Sequence, residues 1–242
     1  MLREAASPGL IRFFRGGSHI EHVGTDAQNL ATRRGPRPPW TGLMQLLAEQ
    51  LTCHRGGREV FAGLNFSLAS GQALLVTGRN GAGKSSLLRV IAGLVRLSAG
   101  KIELSGGATD SPIGEQAHYL GHQDAVKPSL TVAENLRFWV DFLGGAKPVT
   151  AALEAVGLAP LADLPGAYLS AGQRRRLSIA RLIAVVRPLW LLDEPTSSLD
   201  AASQGRLAEV MRGHLSGGGL IVAAAHGSIG LERARELKLG PA

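Results

Sequence analysis

One stretch constrains the chain more than any other: QALLVTGRNGAGKSSLLRVIAGL, Gln72 to Leu94. Its apolar opening ends in glycine and reads as a buried parallel strand. Its closing third has the spacing of a helix. Between them lies GRNGAGKS, Gly78–Ser85. Strand, glycine-rich loop and helix, in that order, form the setting in which a backbone curls around phosphate groups. The glycines let successive N–H groups point inward, and the helix start adds its positive dipole end. The candidate cradle is therefore Gly78, Arg79, Asn80, Gly81, Ala82, Gly83, Lys84, Ser85 and Ser86. Lys84 would set a point charge on the β and γ phosphates, and the Ser85 hydroxyl would ligate Mg²⁺.

A loop of this kind needs a carboxylate from a second strand. LWLLDEP, Leu189–Pro195, supplies the pattern of a buried strand ending in two acids. Asp193 is placed to hold Mg²⁺ through water. Glu194 is placed to accept a proton from an attacking water, an effect worth roughly 10² to 10⁴ in rate. Kinases, GTPases, helicases and transport ATPases all remain open at this point. The absence of an Asn-Lys-x-Asp motif counts against a guanine-nucleotide enzyme.

The rest of the chain fits around this pair. MQLLAEQLT (44–52) and GLNFSLAS (63–70) alternate as strands, with a turn at HRGGRE (54–59). Short strands follow at GKIEL and AHYLG, and a strand LIVAAAH starts at Leu220. Helical signals run from Val132 to Arg187 and from about Ala201 to Leu215. Strands alternating with helices predict an α/β domain with a mainly parallel sheet, interrupted by a helical insertion at about 128–180. Residues 1–43 look different. TRRGPRPPWTG is rich in Pro, Gly and Arg, and the segment carries six Arg against three acids. It reads as a flexible extension, or as the product of an upstream start with Met44 as the true first residue. An organellar presequence is the weaker third reading, because Glu4, Glu21 and Asp26 argue against it.

The net charge of +7 is shared between that segment and a mildly basic remainder, and does not choose among nucleotide, membrane surface and nucleic acid. A single cysteine, Cys53, rules out an internal disulfide framework and reads as a small buried apolar residue. No run of about 18 apolar residues exists, so spanning a bilayer would fall to another chain.

AYLSAGQRRRLSIAR, Ala167–Arg181, narrows the class. A serine and a glycine open an arginine-rich helix, which makes a second anion-binding helix start far from the first. LSAGQ, Leu169–Gln173, resembles the LSGGQ signature of the ATP-binding cassette family. Gln123 in YLGHQD resembles the Q-loop glutamine, SSLD (197–200) the D-loop, and His226 in AAAHG the switch histidine. The resemblance spans roughly Leu46 to Leu239. It implies a P-loop NTPase with a RecA-like core, an antiparallel β subdomain toward the N-terminus and a helical subdomain. It also implies ATP and Mg²⁺ as ligands, with Gln123 among the metal contacts and His226 and Gln123 in the catalytic set. A head-to-tail homodimer would let Ser170, Gly172, Gln173 and Asp200 complete the partner's ATP site. Arg174, Arg175 and Arg176 read instead as solvated or ion-paired on their helix.

Two positions depart from the family pattern. The residue that stacks on adenine is commonly aromatic; here the position falls on Arg55, with Phe61 as a fallback better suited to core packing. Ala171 replaces the first signature glycine, a change a helix start tolerates.

YLGHQDAVKPSLTVAENLRF and the loop region resemble the ATPase subunits of cytochrome c maturation systems. That implies a haem-export role at the cytoplasmic face of the inner membrane, with a CcmB-like integral permease and other maturation components as partners. No direct haem or nucleic-acid binding is expected, and His118 and His122 read as local hydrogen-bonding residues. The segment from about Ala125 to Phe142 resembles the family's docking surface for a membrane partner. Val132, Leu136 and Trp139 lie there at helical spacing, a pattern equally expected of plain packing. Rival readings are an ABC ATPase for a peptide or lipid cargo, and a non-transport ATPase acting on nucleic acid or ribosomes.

Overall fold

The structure is a computed structural model, and it describes residues 40, 42–145 and 147–240. The expectation for residues 1–43 falls almost wholly outside them. Strands β1 (Gln45–Arg55) and β2 (Arg58–Ala69) form a hairpin closed by Gly56–Gly57, with Arg55 and Arg58 as the last partners. Both strands run further into the turn than the pattern suggested, because two glycines are enough to reverse a twisted ribbon. Strand β3 (Ala73–Gly78) leads into helix α1 (Lys84–Ile91), and β4 (Ala99–Ser105) returns to pair antiparallel with β1.

The remaining strands are β5 (Ala117–Leu120), β6 (Leu189–Asp193), β7 (Leu220–Ala224) and β8 (Arg235–Leu239). With β3 they make a parallel sheet in the order β5-β6-β7-β3-β8. Strand β8 was not expected. Its sequence RELKL is polar and short, and it becomes a strand only by pairing with the free side of β3. Helices α2 (Val132–Leu143), α3 (Val149–Ala155) and α4 (Ala171–Ala184) occupy most of the stretch before β6, and α5 (Ala201–Ser216) lies between β6 and β7.

Two cores flank the parallel sheet, divided by the two-residue period of its strands. Leu189 and Leu191 of β6, with Leu220 and Val222 of β7, join the core under the antiparallel sheet and α1, where Leu46, Leu68 and Leu87 are buried. Trp190, Leu192, Ile221 and Ala223 face the other way, into a core with Leu136, Leu177 and Met211 from α2, α4 and α5. Because both faces are covered, β7 is apolar throughout and β6 is apolar up to its last residue, Asp193. Cys53 and Phe61 lie in the first core. Val132 and Leu136 lie in the second, which gives them a packing role.

Register sets the site. Ala224 is partnered by Val76 on one side and Asp193 on the other. The residues that follow β3, β6 and β7 are therefore neighbours at one edge of the sheet, the carboxyl ends where ligands of open α/β sheets bind.

Candidate nucleotide site

A cleft of about 730 Å³ opens at that edge. Asn80, Gly81, Gly83, Lys84, Ser85 and Ser86 form its floor, and Arg89 of α1 extends it. Asp193 and Glu194 enter from the end of β6, and His226 from beyond β7. Arg55, Gly56 and Val60 of the hairpin make the outer wall. Arg89 and Val60 carry no motif signal; they reach the cleft only through the packing of α1 under the hairpin. Gly78, Arg79 and Ala82 shape the loop without lining the cleft.

The loop cannot carry a side chain at every position. Gly83 has φ 98, and a Cβ there would come within 2.5 Å of Val60 Cγ1. Gly83 is also the N-cap of α1, so no side chain caps that helix. The first N–H groups of α1 are left for an external acceptor. Lys84 Nζ donates to the carbonyls of Gly78 at 2.9 Å and Arg79 at 3.3 Å, which holds the ammonium at the mouth of its own loop.

His226 Nε2 lies 3.4 Å from Lys84 Nζ and 3.5 Å from Glu194 Oε1. One ring nitrogen cannot serve both as acceptor and donor. Unprotonated, it accepts from Lys84; carrying a proton, it donates to Glu194. The imidazole thus stands between the loop's ammonium and the carboxylate.

Glu194 has φ 48, left-handed for a residue with a side chain, a geometry that costs roughly 1–3 kcal/mol and persists where the surroundings enforce it. Here its N–H donates to Ala224 O at 2.9 Å, and its carbonyl accepts from Arg175 Nη2 at 2.7 Å.

Ser85 Oγ donates to Asp193 Oδ1 at 3.0 Å, while Asp193 Oδ2 is buried with no hydrogen-bond partner. A buried carboxylate oxygen without a partner is costly. A hydroxyl beside it completes an all-oxygen donor pair that suits Mg²⁺.

Gln123 is exposed and is not part of the cleft wall. The chain is held on either side of it, at Gly121 O and at Asp124, by Arg175, and the glutamine projects from between the two anchors.

Ser170, Gly172, Gln173 and Asp200 also stand outside the cleft. Ser170 is the N-cap of α4. Its Oγ accepts from Gln173 N at 3.2 Å, and Gln173 Oε1 accepts from Ser170 N at 2.8 Å, a reciprocal capping box. The box uses the hydroxyl only as an acceptor, so its proton stays free to donate. A Cβ on Gly172 would meet Ser198 O at 2.8 Å, so close approach requires glycine there. Ala171 is exposed and its methyl group meets no such limit. Asp200 caps α5 by accepting from Ser203 N at 2.7 Å, and the Ser203 hydrogen bonds hold its carboxyl below the usual range.

Arg175 corrects the expectation of an arginine solvated or ion-paired on its own helix, since it is buried and its ion pair is with Asp124 of the loop after β5. Arg174 and Arg176 are half-buried and bond to carbonyls. Arg174 donates to Leu169 O. Arg176 donates to Val156 O and Gly157 O, both at 3.2 Å. Arg175 is 1% exposed. His118 is buried, with Nε2 2.8 Å from Val185 O, and His122 is exposed.

A phosphate-cradling loop, a paired carboxylate and a facing histidine at the carboxyl edge of a parallel sheet define a P-loop ATPase. A model of the ABC transporter family matches residues 61–197. A protein from Rhodopseudomonas palustris (strain BisB5), described as cytochrome c biogenesis ATP-binding export protein CcmA, is 60% identical over 200 residues, covering 82% of this chain and 100% of the relative. A protein of the same description from Nitrobacter winogradskyi (strain Nb-255) shows the same identity and coverage. The solved structure of an ATP-binding subunit of an ABC transporter superposes with a TM-score of 0.72 at 24% identity, over 80% of this chain and 85% of that one. The chain belongs to the ABC transporter family, and it binds and hydrolyses ATP.

Proposed function

We propose that the chain is the ATP-hydrolysing subunit of a cytochrome c maturation transporter, the system named in its relatives. The observation that carries the catalytic part is the convergence of Lys84, Glu194 and His226 in one cleft. Lys84 and the open N–H groups of α1 hold the β and γ phosphates. Ser85 and Asp193 hold Mg²⁺, which when bound offsets phosphate charge. Glu194 Oε1 takes a proton from water as the water oxygen attacks the γ phosphorus, and the bond to the β-bridging oxygen breaks to give ADP and phosphate. His226 orients the carboxylate when Nε2 carries a proton, and accepts from Lys84 when it does not. Arg55, at the outer wall, stacks on the base.

The free Ser170 hydroxyl and the N–H groups of Ala171 and Gly172 face no phosphate of their own chain. They serve the γ phosphate held by a second copy, so that ATP joins two half-sites. Moving such a pair from 1:99 to 99:1 closed takes about 5.5 kcal/mol of preference for the closed state. Several charge-assisted hydrogen bonds supply an effect of that order.

Among the described residues no helix is long and apolar enough to cross a membrane. A separate CcmB-like permease therefore completes the transporter, at the cytoplasmic face of the inner membrane. Exposed Phe138 and Phe142 of α2 stack at 6.1 Å, beside a partly buried Trp139, and provide an apolar face for that contact. Residues 44–242 form the ATPase unit of this assembly.

The test is genetic. A strain without the chain should fail to attach haem covalently to c-type cytochromes. Wild type should restore attachment and Glu194→Gln should not. Unaffected cytochromes c in the deletion strain would reject the haem role, and rescue by Glu194→Gln would reject the assignment of the base.

A further inference from the structure

The side chain of Arg175 is the largest wholly buried one in the described residues, and it is charged. A guanidinium has five N–H donors in a rigid plane, and burying it is tolerated only when they are satisfied. All five are. Nη2 donates to Asp193 O and to Glu194 O, both at 2.7 Å. Nε donates to Pro195 O at 3.4 Å. Nη1 donates to Gly121 O at 2.8 Å and to Asp124 Oδ1 at 3.1 Å. Three acceptors are consecutive carbonyls at the end of β6; the other two belong to the loop after β5.

The middle carbonyl is that of Glu194, whose backbone is left-handed. Ala224 fixes its N–H and Arg175 its carbonyl, so the direction of the carboxylate is set by those two contacts. We propose that Arg175 is the positioning residue for Glu194, and that its planar fork ties the carboxylate's backbone to the 121–124 loop. The inference rests on the reading of Glu194 as general base. A displacement of the loop at Gly121 or Asp124 pulls on the group that holds the Glu194 carbonyl. Neighbouring contacts keep the loop on the same helix: Ser178 Oγ donates to Asp124 O at 2.7 Å, and Arg181 Nη2 to Tyr119 O at 2.9 Å.

Lysine keeps the charge but has three donors and no plane, so it cannot meet five acceptors. Steady-state ATP turnover of the full chain should therefore separate the roles. Arg175→Lys should lower kcat about 10- to 50-fold with KM for ATP within about threefold of wild type. Combined with Glu194→Gln it should slow turnover by no more than about twofold beyond Glu194→Gln alone, since it acts through that carboxylate. If Arg175→Lys does not fold, Asp124→Ala carries the test. It cuts only the partly exposed loop arm, and should lower kcat about fivefold at unchanged KM, with no loss in the Glu194→Gln background. Independent, multiplicative losses in the double variants would overturn the proposal, as would a KM rising in step with the fall in kcat. Wild-type turnover by Glu194→Gln alone would instead remove the base assignment, and the inference with it.

Discussion

Two helix starts in this molecule are finished by different means. Helix α1 begins at Gly83, a left-handed glycine with no side chain to offer, and its first N–H groups open into the cleft beside Lys84. Helix α4 begins at Ser170, whose oxygen is already engaged by Gln173 in a capping box. The first is a helix end that no side chain completes. The second is complete as a helix end and offers only a hydroxyl proton and the first amides. The start of α1 thus leaves its amides open to an outside acceptor, whereas the start of α4 is closed by its own side chains. That division suits a site assembled from two copies.

The comparison can be broken at either end. Lys84→Ala removes the cation of the open end and should reduce ATP hydrolysis by about 10³-fold, with ATP binding lost in the same titration. Ser170→Ala should reduce turnover less, by about 10²-fold, and should also cost about 1 kcal/mol of stability as the cap is lost. Mixing the two variants sharpens the point. A mixed dimer contains one site with an intact Lys84 and an intact Ser170 from the other copy, so the mixture should exceed the summed rates of the separate preparations. No recovery on mixing would place both helix ends in service of the same chain's nucleotide.

A separate effect concerns the scaffold, at the far ends of α4 and α5. His118 is bonded to Val185, the C-cap residue of that helix, and burial pushes its pKa down to about 3. His214 stacks on Trp190 at 3.9 Å, and burial pushes it down to about 4. Both fold as neutral rings, while the unfolded chain binds their protons below about pH 6.5. Their contribution is complete above that pH and falls as the solution is acidified toward 4, by about 1.4 kcal/mol per pH unit for each ring. Melting temperature should drop between pH 6.5 and 5, and His214→Phe should flatten the drop. A melting temperature independent of pH over that interval would refute the burial account.

Local chemistry was readable before any fold was known. GRNGAGKS, Asp193–Glu194, Ser170 at the opening of a helix and the α/β alternation all declare themselves within a few residues of chain. Arg175 did not. Three arginines in a row look alike in sequence, and the phase of α4 alone decides that the middle one points inward beside Ser178 while Arg174 and Arg176 reach carbonyls nearer the surface. Strand β8 was missed because its polar alternation acquires meaning only against β3. Arg89 joined the cleft for a similar reason, since its place depends on where α1 packs. Gln123 shows the reverse: a motif residue that the anchoring of Gly121 and Asp124 leaves on the surface.

What the sequence settled by itself is therefore the chemistry of each piece: a loop whose glycines free their amides, acids at a strand end, a serine that opens a helix. Such properties arise from backbone freedom and side-chain oxygens within one turn or strand. Only the tertiary structure decided which pieces meet. The order β5-β6-β7-β3-β8 brings the ends of β3, β6 and β7 together across Ala224. Burial then forces Arg175 to spend all five donors on carbonyls and one carboxylate far from it in sequence. Hydrogen-bond satisfaction inside a dry core is a long-range condition, and no local pattern records it.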